Sequence, residues 1–337
     1  MTGRERVQRA LRFERVDRAP RDLWCLPGVH ATRRAELEAV LARFPMDIGH
    51  PEYRYGTGRR ASGKPYVRGT WVDEWGSVWH AAEDGVAGEV REPPLAYWSA
   101  LTTYELPYEL LREADLSQVD EGCARSDRFM LAGTLIRPFE RLQFLCGTEK
   151  VLADLAYGTP ELYELSARLH AFSLEELKLW CRTAVDGISF MDDWGSQQGL
   201  LISPQMWRAV FKPLYAEYCE LIHRAGKRVF FHSDGHIAAI IPDLIEIGVD
   251  ALNCQLFCMD IEGLAQAYRG HITFWGEMDR QWTLPFGTPE DVRRDVLRVR
   301  RALDRGSGGV IAECEWGNDT PMENIMAAFA AWEEPLP

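Results

Sequence analysis

Gly187-Ile188-Ser189-Phe190-Met191-Asp192-Asp193 is the stretch whose reading decides the fold. Its first five residues form a short apolar run, too short for a helix, which breaks off in two carboxylates. Before it, Glu161–Val185 places Leu162, Leu165, Leu169, Phe172, Leu174 and Leu177 on one helical stripe. After it, Pro204–Arg224 shows a second helical pattern, then Arg228-Val229-Phe230-Phe231 leads into His232-Ser233-Asp234-Gly235. The unit recurs. Ile240–Ile247 is helical and closes at Gly248, and Asp250-Ala251-Leu252-Asn253 runs into Cys254-Gln255. A short helix at Ile261–Tyr268 precedes His271-Ile272-Thr273-Phe274-Trp275, which ends in Gly276-Glu277-Met278-Asp279. The charged helix Pro289–Asp304 precedes Gly309-Val310-Ile311-Ala312, which ends in Glu313-Cys314-Glu315. Short buried strands alternating with helices mean βαβ units and a parallel sheet.

These five strands occupy the C-terminal half. Arg21-Asp22-Leu23-Trp24, Met46-Asp47-Ile48-Gly49 and Phe129-Met130-Leu131-Ala132 are the earlier candidates. Together they make the eight that an α/β, (β/α)8 TIM barrel requires. The alternative, a doubly wound open sheet, usually carries a Gly-rich phosphate loop after its first strand, and none is present. Residues 3–13 read as an outer amphipathic helix. Residues 51–127, rich in Gly, Pro and aromatics, break the βα rhythm. Within them Trp71-Val72-Asp73-Glu74-Trp75-Gly76-Ser77-Val78-Trp79 alternates like a β-ribbon. An insertion of this length at the loop face of a barrel is expected to shape a mouth or lid. Residues 1–337 thus read as a single barrel domain.

With 38 Lys+Arg against 51 Asp+Glu, the formal charge is −13, which argues against a nucleic-acid partner. Hydrophobic residues at 46% and charged residues at 26% are ordinary globular proportions. Eight cysteines without a CxxC pair are too dilute for a disulfide scaffold and read by default as reduced, buried hydrophobes. No apolar run is long enough to span a bilayer, so no membrane association is expected. Arg4, Arg6, Arg9 and Arg12 near the start are not followed by the apolar stretch of a secretory signal, and a cytoplasmic location is expected.

Barrel chemistry sits at the C-terminal ends of the strands. Here those ends carry Asp192/Asp193, His232/Asp234, Cys254/Gln255, Glu277/Asp279 and Cys314/Glu315. Strand ends border solvent and attract polar residues anyway, but five in succession ending in acid, imidazole, thiol or amide point to a site. An imidazole, a thiolate and carboxylates brought from separate strands suit tetrahedral Zn²⁺ with an open position. Asp192 and Asp193 are candidate acid/base or substrate-orienting groups, or partners that orient His232. For Cys314 alone, the competing reading is a buried core thiol. His236 reads as a helix-start residue.

Several stretches carry a family resemblance. They include Asp192-Asp193-Trp194-Gly195-Ser196-Gln197, Gly226-Lys227, His232-Ser233-Asp234-Gly235, Gly248-Val249-Asp250-Ala251-Leu252-Asn253 and Thr273-Phe274-Trp275-Gly276. The ending Cys314-Glu315-Trp316-Gly317-Asn318-Asp319-Thr320-Pro321-Met322-Glu323-Asn324-Ile325 and the opening Arg4-Glu5-Arg6-Val7 with Asp17-Arg18-Ala19-Pro20 extend it. In these the chain resembles the uroporphyrinogen decarboxylase superfamily over nearly its whole length, which implies a single (β/α)8 barrel. True uroporphyrinogen decarboxylases place an Arg-Gln-Ala-Gly-Arg motif soon after the first strand. This chain has Trp24-Cys25-Leu26-Pro27-Gly28-Val29-His30 there, so porphyrinogen decarboxylation is not expected.

The resemblance is nearer to the branch of corrinoid-dependent zinc methyltransferases. Their zinc ligands follow a His-x-Cys pair after the fifth strand and a Cys after the eighth. His232 and Cys314 match the outer two positions, and Asp234 stands where a Cys would be. A carboxylate in place of a thiolate makes the site harder. It argues against a plain thiol-activating role and leaves room for a methyl ether. The resemblance therefore implies methyl transfer or demethylation between a small methyl ether, thioether or amine and a corrinoid on a partner protein. Zinc on His232, Asp234 and Cys314 would be the Lewis acid, and Asp192, Asp193 and Glu277 would be the catalytic carboxyls. Trp24, Trp194, Gln197, Gln255 and Trp275 would be the substrate-binding residues. The alternatives are a metal-independent decarboxylase or lyase, with His232 and Asp234 as an acid/base pair, and a non-catalytic barrel that binds a small molecule. A homodimer is compatible with the resemblance.

Overall fold

The computed structural model describes residues 1–335. Its strands, in chain order, are β1 (Arg21–Cys25), β2 (Ile48–Gly49), β3 (Gly69–Val72), β4 (Val78–Ala81), β5 (Glu89–Glu92), β6 (Phe129–Gly133), β7 (Gly187–Met191), β8 (Arg228–Ser233), β9 (Ala251–Cys254), β10 (Thr273–Trp275) and β11 (Val310–Trp316). Eight of them form one sheet in the order β1-β11-β10-β9-β8-β7-β6-β2, with every neighbouring pair parallel. At the seam the Asp47 amide donates to the Arg21 carbonyl at 2.9 Å. In return the Arg21 amide donates to the Asp47 carboxylate at 2.8 Å, so the ring is nearly closed. This is the TIM barrel that the alternation of strands and helices predicts.

Side chains alternate across each strand, and the alternation sorts them into two cores. Ile48, Phe129, Leu131, Phe230, Ala251, Trp275 and Ile311 point inward and meet Val7 and Leu11 of the helix Gly3–Leu11, which covers the N-terminal ends of the strands. The intervening residues, among them Phe190, Phe231, Leu252, Cys254, Phe274 and Cys314, face outward and pack on the helices.

The predicted helix over 204–224 is two helices, Pro204–Val210 and Lys212–Arg224. Pro213 has no amide hydrogen to continue the first, so the chain restarts there. Between β2 and β6, strands β3, β4 and β5 form the antiparallel ribbon expected around Trp71–Trp79. Trp71 pairs with Trp79 across it, with rings stacked at 5.4 Å. The Asp73 carboxylate holds its turn, accepting from the Trp75 and Ser77 amides at 3.0 and 2.8 Å and from the Trp79 indole at 2.9 Å. Beyond β4 the insertion reaches the C-terminal face of the barrel. There Glu83, Asp84 and Val86 line, with Arg280 and Glu315, a cavity of about 410 Å³. Among the described residues no helix is long and apolar enough to cross a membrane.

Candidate active site

The loops after β7 and β8 are zipped together. The Gly195 amide donates to the Asp234 carbonyl at 3.0 Å, and the His236 amide donates to the Ser196 carbonyl at 2.7 Å. The approach is so close that a Cβ on Gly235, where φ is +80°, would lie 2.2 Å from the Gly195 carbonyl. This contact puts Asp193 beside Asp234, whose amide donates to Asp193 Oδ1 at 2.9 Å. His232 Nε2 lies 3.5 Å from Asp193 Oδ1 and 3.5 Å from Asp234 Oδ1. One ligand atom from each of the three residues falls within 4.8 Å of the others. Asp234 Oδ1 is buried and has no hydrogen-bond partner.

The orientation of His232 is set from below. Asn253 Nδ2 donates to the Trp275 carbonyl at 2.8 Å and to Glu313 Oε2 at 3.1 Å, which fixes the amide the right way round. Its oxygen therefore faces His232 Nδ1, at 2.6 Å. Nδ1 must carry a proton, and Nε2 is the ring nitrogen turned to the two carboxylates. Trp24 and Trp275 form the floor. Trp24 lies 5.1 Å from the His232 ring and 5.0 Å from Trp275, and both indoles donate to Asp22 Oδ2 at 3.0 Å.

Arg280 spans the mouth. It bonds Asp234, lies 2.9 Å from Glu315 Oε1 and lies 2.9 Å from Glu277 Oε1 in a geometry that leaves both Glu277 oxygens without a hydrogen bond. Burial pushes the Glu277 carboxyl up to about 8, the Arg280 charge opposing this only in part. Burial also raises Glu313 well above the carboxylate range, with Glu277 and Asp22 adding repulsion, and it raises Asp22 too. Gly276 packs on the backbone of Glu313, where any Cβ would come within 2.9 Å. Glu277, Arg280, Gln197, Gln255 and Trp282 line a cleft of about 180 Å³ at the mouth, and Gln197 donates to Gln255 at 3.3 Å.

Three of the candidates named from sequence lie elsewhere. Asp192 points outward into the helical layer. It accepts from the Phe139 and Glu140 amides at 2.7 and 2.8 Å and from the Tyr215 hydroxyl at 2.5 Å, and so caps the helix Pro138–Cys146. Trp194 is fully buried, stacked on Phe139 at 4.2 Å, with its indole on Tyr215. Cys314 is buried on the outer face of β11, and burial raises its thiol well above the ordinary range. It is not part of the Asp193–His232–Asp234 group. The alternation on β11 turns Ile311 and Glu313 inward and Cys314 outward, so the thiol lies apart from His232 and Asp234, and Asp193 is the third residue of the group instead. Glu315 was named only as part of a strand end, and Asn253, Glu313, Asp22 and Arg280 were not singled out as site residues. Strand parity places Asn253, Glu313, Glu315 and Asp22 on the inner face, and no local signal marks Arg280.

Fold and site together define a (β/α)8 barrel with a polar, carboxylate-rich mouth and a three-residue group able to hold a metal ion. Residues 117–335 match the uroporphyrinogen decarboxylase (URO-D) family, and the chain belongs to that family. Among solved structures, a methyltransferase from Methanosarcina mazei superposes with a TM-score of 0.73 at 16% identity, covering 99% of this chain and 98% of that one. That likeness shows a shared fold. A glycosylated endo-β-1,4-xylanase from Gloeophyllum trabeum gives a TM-score of 0.47 at 11% identity, covering 97% and 98%. No curated protein matches the chain by sequence.

Proposed function

We propose that the chain is a methyltransferase or demethylase. It would move a methyl group between a small methyl ether, thioether or amine and a corrinoid on a partner protein, at a zinc ion held by Asp193, His232 and Asp234. The observation that carries this reading is the convergence of His232 Nε2 with two carboxylate oxygens, one of them the buried, unpartnered Asp234 Oδ1. Three nitrogen and oxygen donors from the ends of the neighbouring strands β7 and β8 fit a divalent cation of zinc type. Bound there, the ion supplies Lewis acidity to the heteroatom that bears the methyl group. Replacing thiolates by carboxylates makes the centre harder and favours an ether oxygen over a thiol.

The chain's own groups do the rest. Asn253 holds His232 in the tautomer that presents Nε2. The Gly195–Gly235 contact holds Asp193 and Asp234 together. Trp24 gives the methyl group an aromatic surface beside His232. Glu277, with its carboxyl pushed up to about 8, arrives protonated at neutral pH and can return a proton to the demethylated heteroatom.

Metal analysis of the purified protein tests the first half. About one zinc per chain is expected, lost in His232→Ala and Asp234→Ala; its absence from the wild type would end the metal reading. Loss of the Co(I) corrinoid absorbance on adding a methyl aryl ether tests the second half. A metal-free decarboxylase or lyase is the second reading. It is favoured by the two carboxylates placed 3.5 Å from His232 Nε2, an acid/base arrangement in its own right. Turnover of a carboxylic acid by chelator-stripped protein would select it.

A further inference from the structure

A cavity of about 280 Å³, lined by none of Asp193, His232 and Asp234, lies between the ribbon and the helix Pro138–Cys146. Its walls include Trp71, Trp79 and Phe144, and two arginines, Arg137 and Arg141, line it. The Arg141 side chain is 11% exposed, yet among the described residues its guanidinium donates no hydrogen bond, and its Nε is buried without a partner. Its Cζ lies over Trp75, 4.2 Å from the ring centroid, and its nearest carboxylate oxygen, on Asp73, is 3.7 Å away. That carboxylate already accepts from Trp75, Ser77 and Trp79. Arg137 contacts Met191 Sδ at 2.9 Å and is 3.7 Å from Glu140. Glu140 is itself pushed up to about 8 by burial and so cancels little of that charge at neutral pH. Glu74 is the remaining acid on the cavity wall.

A buried guanidinium without acceptors is an unfavourable thing for a fold to keep, and such breaches of local rules gather at binding sites. The fork of Arg141 and its neighbour Arg137 match a carboxylate, which accepts two parallel N–H bonds. The indoles and Phe144 give flat walls, the Trp71 and Trp79 rings lying within 13° of parallel. The volume is just below the roughly 300–1,000 Å³ typical of ligand pockets, so one or two rings fill it. We propose that this cavity is a binding site for a small planar aromatic carboxylate, with the carboxylate on Arg137 and Arg141 and the ring against the tryptophans. The site is independent of the metal reading. Arg137 places it beside the end of β7, two residues before Asp193.

Calorimetric titration of the full chain with benzoate and 2-naphthoate, followed also by tryptophan fluorescence, tests it. Both acids are expected to bind saturably and to quench. Cyclohexanecarboxylate and inorganic phosphate should bind at least about tenfold more weakly, and Arg141→Met and Arg137→Gln should each cost about tenfold or more for benzoate. Because the Arg141 fork donates no hydrogen bond in the free protein, Arg141→Met should melt within a few degrees of the wild type. Failure of both aromatic acids to bind, equal binding of cyclohexanecarboxylate, unchanged benzoate affinity in Arg141→Met, or a clear drop in its melting temperature would each overturn the proposal.

Discussion

Replacing Asn253 by leucine separates orientation of His232 from mere proximity of ligands. The change removes the acceptor for His232 Nδ1 at 2.6 Å and the donors to the Trp275 carbonyl and Glu313 at 2.8 and 3.1 Å. Glu313 Oε1 has no partner already, so the variant orphans the whole carboxyl inside the barrel. Three net hydrogen bonds at about 1 kcal/mol each, plus about 1–3 kcal/mol for the orphaned acceptor, give a destabilisation of roughly 4–6 kcal/mol. Freeing the ring should also weaken zinc binding by about 10–100-fold. Asn253→Asp is the companion. It keeps an oxygen facing Nδ1 and should bind zinc at least as tightly as the wild type, while losing about 1–3 kcal/mol through its missing donors. Zinc affinity is read by competition with a chromophoric chelator, and stability by urea unfolding monitored by circular dichroism. If Asn253→Leu folds and binds zinc within twofold of the wild type, or if Asn253→Asp loses as much affinity as Asn253→Leu, the orienting role is refuted.

Cys314→Ala should leave zinc stoichiometry unchanged and cost about 1–2 kcal/mol of packing, because the thiol lies in the outer core; zinc loss in elemental analysis would put it back among the ligands. Gly235→Ala forces a side chain into a +80° backbone and against the Gly195 carbonyl. It should cost at least about 2 kcal/mol in urea unfolding and also weaken zinc binding as the two loops part. Glu176 is fully buried, and burial lifts its carboxyl from 4.5 to about 7 against the Tyr55 hydroxyl and the Leu135 amide. A raised acid contributes stability that is complete below its unfolded value and is lost as pH rises through about 7. Stability should therefore fall by about 3 kcal/mol between pH 4.5 and 8, and Glu176→Gln should flatten that part of the profile; an unchanged slope would count against it.

The barrel was legible because parallel strands buried on both faces read as apolar runs between helical periods. The Gly187–Met191 strand falls where the sequence places it. The ribbon was legible from the alternation around Trp71–Trp79. The face of each strand was harder to read, since both faces of a barrel strand are buried and the usual apolar/polar contrast disappears. That is why Cys314 and Glu313 exchange places between expectation and structure. Both faces are buried there, and the register with Ile311 shows that Glu313 looks inward and Cys314 outward. Asp192 was misplaced for the same reason. It is adjacent to Asp193 in sequence and opposite to it in space, serving a helix N-terminus that lies more than 50 residues away in the chain. Arg280 joins Asp234, Glu277 and Glu315 from the loop after β10, and such a junction of three loops has no signature in any one of them.

The central claim is that Asp193, His232 and Asp234 together hold a divalent ion. Its most direct test is anomalous diffraction at the zinc edge from crystals of the wild-type protein grown with zinc. The account predicts one strong peak within bonding distance, about 2.0–2.2 Å, of His232 Nε2 and of an oxygen each from Asp193 and Asp234. A peak that instead bonds Cys314 Sγ, or no peak at His232 at stoichiometric zinc, would contradict it.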